Sequence, residues 1–255
     1  MSLTFLYCES NALDHTVVNS AQFPPFIRPH QMLIDIRLLE LLSSKICHDL
    51  ISPVGAINNG IELVEDIGGS VVNEAMKLIS TSAQQAAKRL RLFRMAYGKS
   101  GAEQGVTLKD MRNTVKDYLS SGKSKLTWGD EQAFTEVAAQ KGALKMVLCL
   151  TMLSEDVLSH GGDITVETVM ESSKVGVKIT IAGSHAQLSE AMHLALKGET
   201  SIEDVSPRTV HAYVTGRMIE YYGFTTSVKQ HSPELLTLAL MPVESNELSL
   251  DQADL

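Results

Sequence analysis

The stretch Cys47-His48-Asp49-Leu50-Ile51-Ser52-Pro53-Val54-Gly55-Ala56-Ile57 belongs to a longer segment in which apolar or small residues recur every three or four positions. These positions are Leu39, Ser43, Ile46, Leu50, Val54, Ile57, Ile61 and Val64. Such spacing predicts a long amphipathic helix with one buried face. His48 falls outside that face, because a turn of about 100° per residue puts it roughly 160° from both Ile46 and Leu50. Its ring is therefore predicted to point to solvent.

His48 is the candidate nucleophile of this helix. A neutral imidazole can attack phosphorus, and imidazole ordinarily has a pKa of about 6.5. The adjacent carboxylate of Asp49 is expected to accept a hydrogen bond from one ring nitrogen and to leave the other as the attacking lone pair. Pro53 removes the helical hydrogen bond to the carbonyl of Asp49 and is expected to bend the helix one turn past His48. The alternative interpretation is an ordinary surface histidine.

The pattern His48-Asp49-Leu50-x-x-Pro53-x-x-x-Ile57 resembles the H-box of two-component histidine kinases, in which an acidic residue follows the phosphoacceptor and a proline stands five positions on. Through Asn58-Asn59-Gly60-Ile61-Glu62-Leu63 the segment is similar to the ChpT-type histidine phosphotransferases of alphaproteobacteria. This resemblance extends from about residue 32 to the C-terminus and implies that His48 carries the phosphoryl group. Together with the helix geometry it implies receiver-domain contacts by a set of small or polar residues, namely Ser52, Pro53, Gly55, Ala56 and Asn59.

A second amphipathic helix is predicted from about residue 73 to residue 97. Gly68-Gly69-Ser70 is a break typical of a turn between antiparallel helices. The stripe after it repeats at about three and a half residues, the period of bundle packing, and consists of Met76, Ile79, Ala83, Ala86, Leu90, Phe93 and Tyr97. A lone helical hairpin cannot enclose a core, so a homodimer with a four-helix bundle is expected. Packing of the stripe on the chain's own C-terminal half is the alternative.

From about residue 102 onward the sequence predicts a small sheet backed by helices. Thr107 with Asp110 is typical of a capping box before a helix at Leu108 to Leu119. Other helices are expected at 141–159, 186–196 and 207–222, the last opened by Pro207 and capped by Gly223. Strands are expected at 125–128, 163–170, 175–181, 224–230 and 234–241. The predicted fold class is α+β, with an antiparallel helical hairpin followed by an α/β sandwich.

This second region is similar to the ATP-binding domain of histidine kinases but departs from it at three nucleotide motifs. The helix Met146 to Leu158 has no asparagine for a magnesium ion, and Glu155 and Asp156 are weak substitutes. Gly183-Ser184-His185-Ala186-Gln187 replaces the Asp-x-Gly-x-Gly that receives adenine. Ser206-Pro207-Arg208-Thr209-Val210-His211 replaces a glycine-rich phosphate loop, and proline offers no N–H. We therefore expect a degenerate domain that does not bind ATP.

Composition narrows the function classes further. A net charge of -8 argues against nucleic-acid binding, and no apolar run approaches the roughly 20 residues of a membrane span. Three scattered cysteines, Cys8, Cys47 and Cys149, indicate reduced thiols and a cytoplasmic protein. His160, His193 and His231 lack ligand-like spacing, so no metal or other cofactor is expected on this chain. The basic patch of Lys88, Arg89, Arg91 and Arg94 is either a solvated face or a contact for an acidic protein.

The predicted organisation has four parts: residues 1–31, disordered or upstream of the natural start; 32–99, the dimerisation and phosphotransfer hairpin; 102–243, the degenerate ATPase-like domain; and 244–255, a flexible tail. The family resemblance implies phosphoryl transfer from the receiver domain of a hybrid histidine kinase to cell-cycle response regulators, with Mg²⁺ bound by the receiver. Two alternatives stay open: a non-catalytic dimeric adaptor for response regulators, and an atypical ATP-dependent histidine kinase.

Overall fold

The computed structural model of the chain describes residues 35–66, 71–99, 106–120 and 122–243. The predictions for residues 1–31, for the Gly68-Gly69-Ser70 turn and for the tail 244–255 lie outside these ranges. Within the described residues the expected α+β architecture is confirmed: a helical hairpin precedes a five-stranded sheet with its helices. No helix in this part of the chain has both the length and the apolar composition required to cross a membrane.

The hairpin consists of α1 (Ile36–Asp66) and α2 (Val72–Tyr97). The two helices approach each other closely at Gly60, which is buried in α1. A Cβ atom at this position would lie 2.6 Å from Cγ1 of Ile79 and 3.3 Å from the carbonyl oxygen of Ala75. Contact between the helix backbones therefore depends on the missing side chain of Gly60.

In a single chain the predicted face of the hairpin is only partly buried. On α1 the buried residues are Pro53 and Gly60, whereas Leu39, Val54 and Ile61 of the predicted stripe are exposed. The α2 stripe divides too, because Phe93 and Tyr97 pack with the core of the C-terminal half. Of the other five members, Ile79 and Ala86 are half-buried, whereas Met76, Ala83 and Leu90 are exposed at intervals of seven residues. We call the exposed members of the two predicted stripes the apolar strip, defined as Leu39, Val54, Ile61, Met76, Ala83 and Leu90.

The sheet has the strand order β1-β2-β3-β5-β4. Its strands are β1 (Ser124–Trp128), β2 (Gly162–Glu171), β3 (Lys174–Ala182), β4 (Phe224–Ser232) and β5 (Leu235–Pro242). β1 pairs with β2 in parallel, and all other neighbours are antiparallel. Alternate residues of the central strands are buried on one face, which explains the alternation in the sequence.

Five α-helices and a short 3₁₀ turn, Ile202–Asp204, accompany the sheet. The α-helices are α3 (Leu108–Leu119), α4 (Phe134–Ala139), α5 (Ala143–Val157), α6 (Glu190–Lys197) and α7 (Val210–Tyr221). The capping box of Thr107 and Asp110 is confirmed in both directions. The expected helical start at Pro207 is wrong, because residues 206–209 form a turn that precedes α7. The sequence missed α4, whose six residues are too few for a periodic pattern.

Helix α5 lies at the centre of the molecule, between the end of the hairpin and the sheet. All of its residues except Glu155 and Asp156 are buried. Cys149, near the middle of the helix, packs against the end of α2, with its Sγ atom 3.9 Å from the carbonyl oxygen of Ala96. Burial raises the pKa of this thiol to about 12, so Cys149 remains a protonated core residue. The hairpin is thus attached to the same core that supports the sheet.

Candidate functional site

His48 lies in the first half of α1 with 87% of its side chain exposed. Its helical neighbours Ile46 and Leu50 are half-buried and pack against the core of the C-terminal half. The predicted outward direction of the ring is therefore confirmed. An imidazole in this position can be reached by another protein without any opening of the fold.

The carboxylate of Asp49 contacts both His48 and a lysine one turn earlier. Nδ1 of His48 lies 3.2 Å from Oδ1 of Asp49, and Nζ of Lys45 donates to Oδ2 at 3.2 Å. With the Nδ1 proton directed at the carboxylate, Nε2 is the nitrogen that carries the free lone pair. Lys45 was not selected by the sequence analysis, although its spacing of four residues from Asp49 is typical of a helical ion pair.

The predicted partner-binding residues occupy two environments. Ser52 and Asn59 are exposed, and Gly55 and Ala56 are half-buried on the surface near His48. A Cβ atom at Gly55 would meet nothing within 4 Å, so the glycine faces open space on the surface of α1. Pro53 is different, since it is buried inside the hairpin. The prediction that Pro53 contacts a partner is therefore wrong. Its ring faces the fold, and its effect is on the helix backbone.

The carbonyl of Asp49 is bound by a residue from the other helix of the hairpin. Pro53 lies four positions later and has no N–H to donate to this oxygen. The Nη1 atom of Arg89, half-buried on α2, donates to it instead. Other members of the predicted basic patch contact α3: Lys88 donates to the hydroxyl of Ser120, and Arg91 pairs with Asp117. Sequence spacing could not predict these contacts, because the partners lie 26 to 40 residues apart.

Comparison with known proteins assigns this arrangement to a family. A family model described as "Histidine phosphotransferase C-terminal domain" matches residues 108–234. The protein phosphotransferase ChpT of Brucella abortus (strain 2308) is 30% identical over 198 residues, covering 77% of this chain and 91% of that protein. The chain belongs to the ChpT-type histidine phosphotransferase family. Membership makes phosphoryl transfer in a phosphorelay the activity of the chain.

A solved structure of a bacterial phosphotransferase has the same fold as this ChpT-type chain. It aligns with a TM-score of 0.68 and 29% identity, and the alignment covers 82% of this chain and 97% of that one. The Acinetobacter baumannii histidine kinase AdeS aligns with a TM-score of 0.37 and 11% identity over 78% of this chain and 98% of that one.

In this ChpT-type phosphotransferase, a buried hydrogen-bond chain joins the hairpin to the C-terminal half. The hydroxyl of Tyr97 lies 2.6 Å from Nδ1 of His211, and Nε2 of His211 lies 3.0 Å from the carbonyl oxygen of Cys149. Burial lowers the pKa of His211 and raises the pKa of Tyr97, so both groups are neutral. The neutral ring then accepts from Tyr97 and donates to Cys149.

Two cations make further connections between the halves. Lys145 of α5 donates from Nζ to the carbonyl oxygen of Gly98 at 2.9 Å, and burial lowers the pKa of its ammonium group. Arg37, in the first turn of α1, donates to three backbone carbonyls in the segment before α7. These belong to Ile202, Glu203 and Val205, at 3.1, 2.8 and 3.3 Å. Hydrogen bonds therefore attach both the start of α1 and the end of α2 to the C-terminal half.

Side-chain and backbone groups between α5 and α7 are hydrogen-bonded to one another. His211 of α7 is buried in this region, and its ring is hydrogen-bonded to the backbone of α5. In the loop that corresponds to a phosphate cradle, the N–H groups of Thr209 and Val210 both donate to the carbonyl of Ser206. Pro207 in the same loop has no N–H. Two backbone N–H groups of this loop are thus already used within the turn.

Proposed function

We propose that this protein is a His–Asp phosphotransferase in which His48 receives a phosphoryl group from one receiver-domain aspartate and passes it to another. The observation that carries this proposal is the exposed ring of His48, with Nδ1 against Asp49 and Nε2 open. Nε2 attacks phosphorus, the P–O bond of the aspartyl phosphate breaks, and the aspartate leaves as a carboxylate. Asp49 stabilises the positive charge that develops on the ring.

Receiver docking is proposed on the surface around His48, where Ser52, Gly55, Ala56 and Asn59 are small or polar. Small side chains permit close approach of the receiver, and close approach is the main catalytic requirement of a transfer between two proteins. The receiver would contribute the Mg²⁺ ion that neutralises the transferring phosphoryl group. The family resemblance supports a hybrid-kinase receiver as donor and cell-cycle response regulators as acceptors, in the cytoplasm.

No ATP is required in this mechanism. The proposal that the C-terminal domain is degenerate is supported by His211 between α5 and α7 and by the internally bonded turn of residues 206–209. A ligand of the native state raises its melting temperature. We therefore expect no shift of Tm with Mg²⁺-ATP, whereas a concentration-dependent rise would support the atypical kinase.

The decisive experiment uses a receiver domain carrying a ³²P-labelled phosphoryl group. The purified protein should acquire acid-labile label, and His48→Ala should acquire none. His231→Ala is the matched control, because His231 is also an exposed histidine but lies on β4. Label on His48→Ala would contradict the assignment of the phosphoacceptor. Binding of receivers by wild type without any label would favour the adaptor.

A further inference from the structure

The reactive turn of α1 contains one backbone group that the helix itself cannot satisfy. Pro53 has no N–H, so the carbonyl oxygen of Asp49 has no donor four residues later. A helix in water could leave this oxygen to solvent, but Asp49 is only partly exposed. The guanidinium group of Arg89 fills the vacancy from α2. An arginine 40 residues away in the sequence thus donates the hydrogen bond that Pro53 cannot donate.

Asp49 is consequently held at both its backbone and its side chain. Arg89 binds the carbonyl, Lys45 binds Oδ2, and Oδ1 faces Nδ1 of His48. Since His48 and Asp49 are adjacent, a rotation of the Asp49 backbone would displace the carboxylate and the ring together. The contact with Arg89 opposes that rotation at the point where the helical hydrogen bond is missing.

The surroundings of this contact extend to α3. Lys88, next to Arg89 on α2, donates to the hydroxyl of Ser120 at the C-terminal end of α3. Burial raises the pKa of Tyr118 on the same helix, the charges of Asp156, Glu155 and Asp49 raise it further, and Arg89 lowers it. His48 itself, one residue before Asp49 on α1, is directed to solvent.

We propose that Arg89 is a positioning residue for phosphotransfer: it acts through the Asp49 carbonyl to hold the imidazole of His48 with Nε2 directed outward. This inference rests on the proposed phosphotransfer at His48 and adds a residue that touches neither the phosphoryl group nor the receiver. A guanidinium suits the role because its planar fork loses less side-chain freedom per hydrogen bond than a lysine ammonium.

The test compares Arg89→Met, which keeps the aliphatic stem but removes the donor, with Arg89→Lys and the control Arg217→Met. Arg217 is on α7, outside the basic patch, and its partner Glu220 lies at an exposed surface. The first measurement is the single-turnover rate of transfer from a phosphorylated receiver. We expect Arg89→Met to reduce the maximal rate about tenfold, a loss of roughly 1.4 kcal/mol of transition-state stabilisation. The half-saturating receiver concentration should stay unchanged, Arg89→Lys should recover part of the rate, and Arg217→Met should match wild type.

The second measurement is the ¹⁵N NMR spectrum of the histidine rings, which reports the tautomer of His48 without any phosphotransfer. Arg89→Met should shift His48 toward the Nε2–H tautomer, whereas Arg217→Met should not. Unchanged His48 resonances in Arg89→Met would overturn the positioning role, as would a rate loss explained only by weaker receiver binding. If wild type accepts no label, the proposed function fails, but the NMR comparison still decides whether Arg89 orients His48.

Discussion

At the scale of single residues, the protein contains two histidines in opposite environments. The side chain of His48 is 87% exposed, and His211 is 1% exposed with both ring nitrogens in contact with fixed partners. An exposed imidazole can react with another protein, whereas a buried one with both nitrogens bonded serves packing and orientation. Residue type alone therefore does not separate the two histidines. The contacts of their ring nitrogens distinguish the proposed phosphoacceptor His48 from the core residue His211.

The buried histidine predicts a pH dependence of folding. Burial lowers the pKa of His211 in the folded state, so the unfolded chain binds the proton more readily. This contribution to stability is complete above the ordinary histidine pKa of about 6.5 and is lost as the pH falls below it. In urea unfolding from pH 7.5 to 5.5, His211→Gln should be about 1–3 kcal/mol less stable at pH 7.5 but less sensitive to acid. His231→Gln is the exposed control and should keep the wild-type slope; an equal slope in His211→Gln would contradict the assignment.

At the scale of elements, α1 uses two glycines for different purposes. Gly55 is beside open space, whereas Gly60 is at the closest approach of α1 to α2. Glycine within a helix costs about 0.5–1 kcal/mol relative to alanine, so both positions give up helix stability. Only at Gly60 does helix packing compensate for the cost. At Gly55 the compensation we propose is access of the receiver to His48.

The two glycines therefore predict opposite effects of one substitution. Gly55→Ala should stabilise the protein by about 0.5–1 kcal/mol, because helix propensity improves and the new Cβ meets no neighbour. Gly60→Ala should destabilise it by about 1–3 kcal/mol, because the Cβ would overlap Ile79. Urea midpoints of the two variants measure this difference. A stabilised Gly60→Ala would mean that α1 and α2 separate without cost.

At the scale of the whole molecule, the hairpin has one base fixed to the C-terminal half and one apolar surface left open. The base consists of the start of α1 and the end of α2. Arg37 and Tyr97 at the base hydrogen-bond to the C-terminal half, and Lys145 of the C-terminal half donates to Gly98. The apolar strip beyond it includes Ile61 and Leu90, which are 43% and 53% exposed. Two hairpins that pair through this strip would complete a four-helix bundle, and we propose this homodimer as the form in solution.

A charge within the strip should dissociate the dimer. Wild type is expected to have a mass of about twice 27.8 kDa by light scattering coupled to size exclusion. Ile61→Glu should shift the mass toward one chain, because a carboxylate cannot be buried unpaired in an apolar interface. Met170→Glu is the control, since Met170 is a similarly apolar and exposed residue on β2, outside the hairpin. A monomeric wild type at micromolar concentration would contradict the proposed dimer.

The sequence alone determined the features that depend on neighbouring residues. Periodicity located α1, α2 and most helices and strands of the C-terminal half, since local spacing decides which side chains share a face. The spacing of His48, Asp49 and Pro53 identified the family, and the outward direction of His48 followed from helix geometry. These inferences need only the rise and turn of a regular element.

The tertiary structure decided everything that joins distant parts of the chain. It divided the helix stripes into buried and exposed residues, buried Pro53, and brought Arg89 to the carbonyl of Asp49 across 40 positions. Tyr97 and His211 are 114 positions apart, and no spacing rule connects them. A hydrogen bond between such residues depends on the relative placement of whole elements. That placement is set by packing of the common core rather than by local sequence.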